Sequence, residues 1–262
     1  MPKEKEKRSL FDSWRIWATA FTWLAVFVST AIAARKVENF VSADPQFILS
    51  ADRRDAITIE GVRYASRAQV TRIFSPDFGR SIYLMPIAER RRRLLGIDWI
   101  QSASVSRIWP NRILVRVTER TPVAFVNLPL AGNPQASRPA LIDGEGVFLE
   151  PPPKVHFTFP ILHGVSDQQT EPSRRIRVRA MQRLLEDLGP LARDVSEINA
   201  AAPENMRIIA QVSGRAFELE LGDGSYAARL REFIDHYPEI GRKSPQATSF
   251  DLRMENNIIA KD

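Results

Sequence analysis

The chain has 262 residues, 44% hydrophobic and 26% charged, with a formal net charge of +6 and no cysteine. That length and apolar content suffice for two modest domains with their own cores. The absence of cysteine excludes disulfides, thiolate nucleophiles and cysteine-based metal sites, and the positive balance points to anionic partners.

Residues 1–15 form a basic tail with Lys3, Lys5, Lys7, Arg8 and Arg15. Residues 16–34 then carry no charge, with Arg35 and Lys36 directly behind them. At about 1.5 Å per helical residue this stretch spans roughly 28 Å, close to the ~30 Å hydrocarbon layer of a bilayer. Trp14, Trp17 and Trp23 suit this reading because indole favours the headgroup boundary. The excess of basic residues ahead of the span predicts a cytoplasmic tail, with the bulk of the chain on the far side of the membrane as that of a single-pass protein. There nucleic acid is not expected as a partner. A cleaved signal peptide is the competing reading, since Ala31-Ile32-Ala33 resembles a small-residue processing site. The apolar stretch exceeds the ~7 to 15 residues of a usual signal core, which favours a retained anchor.

Residues 35–55 read as a connector. Alternation over residues 56–61 then predicts a strand ending in a glycine turn. Ser66 and Gln69 have capping-box spacing for a helix with Val70, Ile73 and Phe74 on its apolar face. After a loop over residues 75–85, Pro86 starts a second helix over residues 87–95 that Gly96 stops. Its outward side carries Arg90, Arg91, Arg92 and Arg93, either a solvated face or a recruitment patch for an acidic partner or a headgroup surface. Two strands, residues 101–109 and 112–120, follow around a Pro110-Asn111 corner. The order strand, helix, helix, strand, strand over residues 56–122 predicts a compact α+β module.

Residues 123–262 change to strands and hairpins. A strand over residues 123–127 leads into a Pro-rich excursion over residues 128–139. Asp143-Gly144-Glu145-Gly146 marks a hairpin whose two carboxylates read as a solvated tip. Apolar spacing predicts a helix over residues 173–188, ended by Gly189-Pro190. Strands at 196–200, 206–212 and 216–221 precede a helix lined by Tyr226, Leu230, Phe233, Ile234 and Tyr237, which Pro238 is expected to stop. Strands at 249–254 and 258–260, joined by an Asn256-Asn257 turn, close a mainly antiparallel β domain with supporting helices.

No constellation for catalysis emerges. His156, His163 and His236 lack metal-ligand spacing, and no nucleophile elbow or phosphate loop is present. Gly222-Asp223-Gly224 reads as an ordinary strand-to-helix turn. No enzyme activity, cofactor, metal or small-molecule substrate is expected.

Taken in order, several stretches resemble the FtsQ/DivIB family of bacterial cell-division proteins, in which the α+β module is a POTRA domain. They are residues 57–61 (ITIEG), Trp109-Pro110-Asn111-Arg112 with the run through Glu119-Arg120-Thr121-Pro122, residues 141–146 (LIDGEG), residues 159–165 (FPILHGV) and Phe250-Asp251-Leu252-Arg253. The resemblance implies a non-enzymatic divisome scaffold at the septum that binds the coiled-coil proteins FtsB and FtsL, or DivIC and FtsL. By motif match it assigns partner contact to Arg253, Met254, Asn256 and Ile258, and more weakly to Arg215 as a charge partner. Met254 stands where the family often has an aromatic, and Asn257 where glycine is usual. A different class, a POTRA-bearing outer-membrane assembly or secretion component, is the alternative; such proteins place POTRA units in series before a barrel, and this chain has one unit behind an anchor.

Overall fold

The computed structural model describes residues 6–130, 132–254 and 257–261. Helix α1 runs over Glu6–Ala43 and holds a segment, Trp17–Ser42, long and apolar enough to cross a membrane. The helix therefore continues nine residues past the uncharged stretch, into what reads as connector. Nothing between Arg35 and Ala43 breaks a helix. The stop comes where Asp44 precedes Pro45, because the residue before proline is pushed out of the α region. Asp44 adopts extended geometry, and its side chain accepts a hydrogen bond from Gln46 N at 2.9 Å.

The chain divides into two compact units. One comprises Met1–Val62, Ser66–Leu95 and Ser102–Val117, and the other Arg63–Ala65, Gly96–Gln101 and Thr118–Asp262. The first contains β1 (Ile57–Glu60), α2 (Arg67–Arg72), α3 (Ile87–Leu94), most of β2 (Ile100–Ile108) and most of β3 (Arg112–Glu119). The sheet order is β1-β3-β2, with β1 parallel to β3 in the register Ile57↔Ile113 to Glu60↔Arg116. Ser66 caps α2 as its spacing predicts, its Oγ accepting from Gln69 N at 3.3 Å. Val70, Phe74, Leu94, Ile113 and Val115 are fully buried. Gly61, at φ +84°, lies so close to β3 that a Cβ there would sit 2.0 Å from the Val117 carbonyl oxygen, which is why glycine ends β1.

The second unit is built on β4 (Pro122–Leu130), β5 (Asn133–Asp143), β6 (Phe148–Leu149), β7 (Ile161–His163), α4 (Glu171–Leu188), β8 (Val195–Asn199), β9 (Met206–Val212), β10 (Arg215–Gly222), α5 (Tyr226–Lys243), β11 (Ser249–Met254) and β12 (Asn257–Lys261). Its sheet has nine strands in the order β12-β11-β10-β9-β8-β7-β4-β5-β6. Three neighbouring pairs are parallel (β10 with β11, β7 with β8, β4 with β7) and the rest antiparallel. The core joins Val178, Met181 and Leu184 of α4 and Leu230 and Phe233 of α5 to alternate residues of the strands, so both helices cover one face.

Three sequence expectations give way here. The Pro-rich excursion is a long hairpin of β4 and β5, pairing Asn127↔Pro139 and Pro129↔Ser137. These prolines lie where the hairpin outruns its neighbours, since β4 meets β7 at Phe125 alone and β5 meets β6 only at Leu141 and Ile142. A missing N–H on an unpaired flank costs no ladder bond. Pro238 does not stop its helix, because α5 continues to Lys243. Ile240, beyond the proline, packs against the core, and that burial outweighs the lost hydrogen bond. Asp143 is not solvated: it is 3% exposed, accepts from Arg120 Nη1 at 2.8 Å, and also accepts from the backbone N–H of Glu145 and Val147. Only Glu145, paired with Arg175, faces solvent at this turn.

Candidate functional site

The terminal hairpin is positioned by α5. Because β10 and β11 are parallel, the chain must cross back between them, and α5 makes that crossing over the buried face. Phe250 of β11 sits under it, with ring centroids 5.0 Å from Phe233 and 5.9 Å from Phe217. β12 then returns antiparallel to β11, pairing Ser249↔Lys261, Phe250↔Ala260, Asp251↔Ile259 and Met254↔Asn257.

Among the described residues β12 is paired on one side only and forms one edge of the nine-stranded sheet. The other edge, β6, has two residues. Edges are commonly blunted by shortness, charge or proline. β6 follows that rule; β12 has five residues, no proline and a 41% exposed Ile259 at its centre, and its one charge, Lys261 at the end, is engaged by Glu220.

The face of the hairpin away from α5 carries a charge cluster absent from the sequence reading. Glu220 of β10 and Asp251 of β11 are register neighbours and both are buried. Two buried carboxylates side by side repel unless cations answer them. Arg253 supplies one, donating from Nε and Nη2 to Asp251 at 2.9 and 2.6 Å and lying 3.6 Å from Glu220. Lys261, on β12, donates to Glu220 and lies 3.8 Å from Asp251. Asn205 Nδ2 adds a 2.5 Å bond to Glu220. The hydrogen bonds from Arg253 hold the Asp251 carboxyl down at about 2, and Lys261 lowers that of Glu220. Lys261 thus ties the last strand to β10 across β11, fixing the position of the free edge.

Arg253, Met254 and Ile258 all lie on this hairpin. Met254 is 62% exposed, Arg253 is half exposed through its cluster, and Ile258 is partly buried toward the core under α5. Asn256 lies outside the described residues. Arg215 is elsewhere: it opens β10, three residues before Glu218, whereas Met254 lies five residues beyond Ser249, the partner of Glu218. Eight strand steps separate Arg215 from Met254, roughly 26 Å at ~3.3 Å per residue. Arg215 donates to the Pro245 carbonyl at 3.2 Å and covers the Phe217 ring at 5.2 Å. These residues do not converge on a point; they mark the two ends of an extended surface.

The arginine patch on α3 needs one correction. Arg90 is 5% exposed and forms a two-pronged ion pair with the equally buried Asp77, at 2.6 and 3.0 Å. It holds α3 against the turn at Asp77 and presents nothing to a partner. Arg91, Arg92 and Arg93 remain exposed, with Arg91 donating to Ala103 O and Arg93 paired with Glu89. Among the described residues no cluster of His, Asp and Glu has the arrangement to hold a metal ion. His163 Nε2 lies 2.6 Å from Glu197 Oε2 in a surface pair.

Asp251 sits inside the quoted Phe250-Asp251-Leu252-Arg253 motif, and Glu220 alternates with Phe217, Leu219 and Leu221. The signal for the cluster was two acidic residues on adjacent strands. Only the parallel register, which sequence spacing does not reveal, brings them together.

Comparison with known proteins bears on what this architecture is. Residues 54–120 match the family model described as POTRA domain, FtsQ-type. Over 211 residues, 78% of the chain, it is 30% identical to the cell division protein FtsQ of Koribacter versatilis. In sequence the chain is similar to proteins named cell division protein FtsQ, and it carries the POTRA domain of FtsQ type. The matched region spans 59% of the length of that FtsQ. Similarity extends to FtsQ of Myxococcus fulvus, 24% identical over 76% of this chain and 68% of that protein. It also extends to FtsQ of Bordetella pertussis, 24% identical over 88% of this chain and 85% of that protein. Most of the matched POTRA residues accordingly lie in the first unit, and the nine-stranded sheet lies beyond the matched segment.

Proposed function

We propose that this chain is a non-catalytic scaffold of bacterial cell division, anchored in the cytoplasmic membrane by α1 with its amino terminus inside. In this reading it is held at the septum and captures the extracytoplasmic segments of FtsB- and FtsL-like coiled-coil proteins by strand addition to β12. The observation that carries the proposal is the unblunted edge of β12. Its outward N–H and C=O groups are unpaired among the described residues, and an incoming extended segment gains a ladder of main-chain hydrogen bonds there. An added strand also explains why the family-assigned residues are spread out along the strand direction. A partner strand of about eight residues covers the ~26 Å along that direction, while Arg215, on β10, lies a further ~14 Å across the sheet from a strand added to β12. Exposed Arg215, which has no carboxylate partner among the described residues, favours an acidic residue in the partner segment. Arg91, Arg92 and Arg93 remain the place on the POTRA module for a separate recruitment contact.

Successive residues of a strand point their N–H groups to opposite sides, so exactly one of Ile258 and Ile259 offers its donor outward. Proline is placed at each in turn and binding of the FtsB-homologous segment is measured by calorimetry. The proposal expects one variant to keep its fold and lose most of its affinity. Undiminished binding by both folded variants overturns strand addition at β12.

A further inference from the structure

The surface of the first unit beside the end of α1 carries aromatic and cationic groups with no role in the partner edge. Phe40, on the last turns of α1, is 55% exposed and packs edge-on against Phe47 at 6.0 Å. Phe47 packs edge-on against Trp109 at 5.6 Å, and Trp109, at the tip of the β2-β3 hairpin, is 51% exposed. A continuous aromatic path thus leads from the membrane-spanning helix to the hairpin tip. Around that tip, Arg53 donates to Asn111 at 3.2 Å, and Arg54 and Arg112 lie exposed or half-exposed beside it in sequence. Arg53 and Arg112 both pair with Asp55, at 3.1 and 4.0 Å, and Asp52, Asp44 and Glu38 add negative charge along the same stretch, so Arg54 beside the tip and Arg35 and Lys36 on α1 are the cations left to face headgroups.

The helix rise places this surface. With Trp17 at one hydrocarbon boundary, Arg35 lies about 27 Å along the axis and Phe40 about 35 Å, at 1.5 Å per residue. The hydrocarbon layer ends near ~30 Å and the headgroup layer extends about 5 to 7 Å beyond it. Arg35 and Lys36 therefore fall at the boundary, Phe40 falls within the headgroups, and Trp109 is within two ring contacts of Phe40. Exposed indole with flanking arginines is the composition that settles in an anionic headgroup layer.

We propose that the Trp109–Arg112 tip, with Phe47, docks on the anionic phospholipid surface of the membrane that α1 crosses, so that the POTRA module stands in a fixed pose on the bilayer. This rests on the reading of α1 as a membrane anchor. The chain's lack of cysteine makes the test direct. Asn111→Cys in the full chain is spin-labelled and reconstituted into vesicles of phosphatidylcholine with or without phosphatidylglycerol. Accessibility to a water-soluble relaxing agent is then measured, while flotation of the vesicles reports the anchor separately. In phosphatidylglycerol vesicles the accessibility is expected to fall several-fold relative to phosphatidylcholine. Trp109→Ser, or independently Arg54→Glu, is expected to restore it. A floating chain whose label is equally accessible in both vesicles, or whose shielding survives both substitutions, overturns the docking and leaves the anchor intact. A chain that does not float overturns both.

Discussion

Replacing Asp251 by asparagine removes the charge that Arg253 and Lys261 answer on the face of the terminal hairpin. Asp251 is 8% exposed and accepts three bonds from Arg253, from the backbone N at 3.1 Å, Nε at 2.9 Å and Nη2 at 2.6 Å. Hydrogen bonds to a charged group contribute about 1.5 to 3 kcal/mol each when one partner is lost. Two considerations keep the sum near the low end. Asparagine still accepts the backbone bond, and Arg253, with 47% of its side chain exposed, returns partly to water. A loss of about 2 kcal/mol follows, roughly a 30-fold change in the folding equilibrium. For a unit of this size that is a fall of about 4 to 8 °C in Tm. The pH dependence has a definite sign. The folded carboxyl sits at about 2 against an ordinary 3.8, so its stabilisation is full above the ordinary value and fades as pH falls through the folded one. Calorimetry of the detergent-solubilised chain is therefore expected to show a clear Tm gap between wild type and variant near neutrality. The gap should close as the pH is lowered from about 4 toward 2. A gap absent at neutral pH, or one that persists undiminished in acid, refutes the cluster as the tie that positions β12.

Arg90→Ala strands the buried Asp77 carboxylate and is expected to cost the POTRA module about 3 to 5 kcal/mol, read as an earlier unfolding transition in urea. Arg92→Glu, on the exposed side of the same helix, should move that transition by no more than about 0.5 kcal/mol. In the second unit, Glu119 accepts from the backbone N–H groups of Arg63, Tyr64 and Ala65 at 3.0, 2.9 and 2.7 Å. Glu119→Ala leaves three donors without their acceptor and is expected to destabilise by at least about 2 kcal/mol, with faster amide exchange at residues 63–65. Unchanged exchange there would show that water substitutes for the carboxylate.

Much of the fold was readable because its signals are local. Alternation located most strands of both sheets, though not β7 or the Pro-rich part of the β4-β5 hairpin, Ser66 located the start of α2, and Gly189 fell at a turn where the chain adopts positive φ. The uncharged run located the apolar segment of α1, though not the end of that helix. That end is set by the Asp44-Pro45 stop rather than by hydropathy. The misreadings were tertiary. Pro238 was expected to end α5, but Ile240 gains a place in the core by continuing. Asp143 looked like a solvated turn residue until Arg120, 23 positions away, closed over it. Arg90 looked like one of four equivalent surface arginines, yet helical spacing turns it alone toward Asp77. The motif Phe250-Asp251-Leu252-Arg253 marked the hairpin that carries the charge cluster. The pairing of Asp251 with Glu220 depended on a parallel register set by the α5 crossing, which no local pattern encodes.

Amide hydrogen exchange on the full chain, with and without the extracytoplasmic segment of an FtsB-like protein as the proposed partner, tests the central claim most directly. Strand addition predicts slowed exchange at alternate amides of residues 257–261, those facing away from β11, with the opposite edge at Phe148–Leu149 unaffected. Binding that leaves every β12 amide exchanging at its free rate would contradict the account.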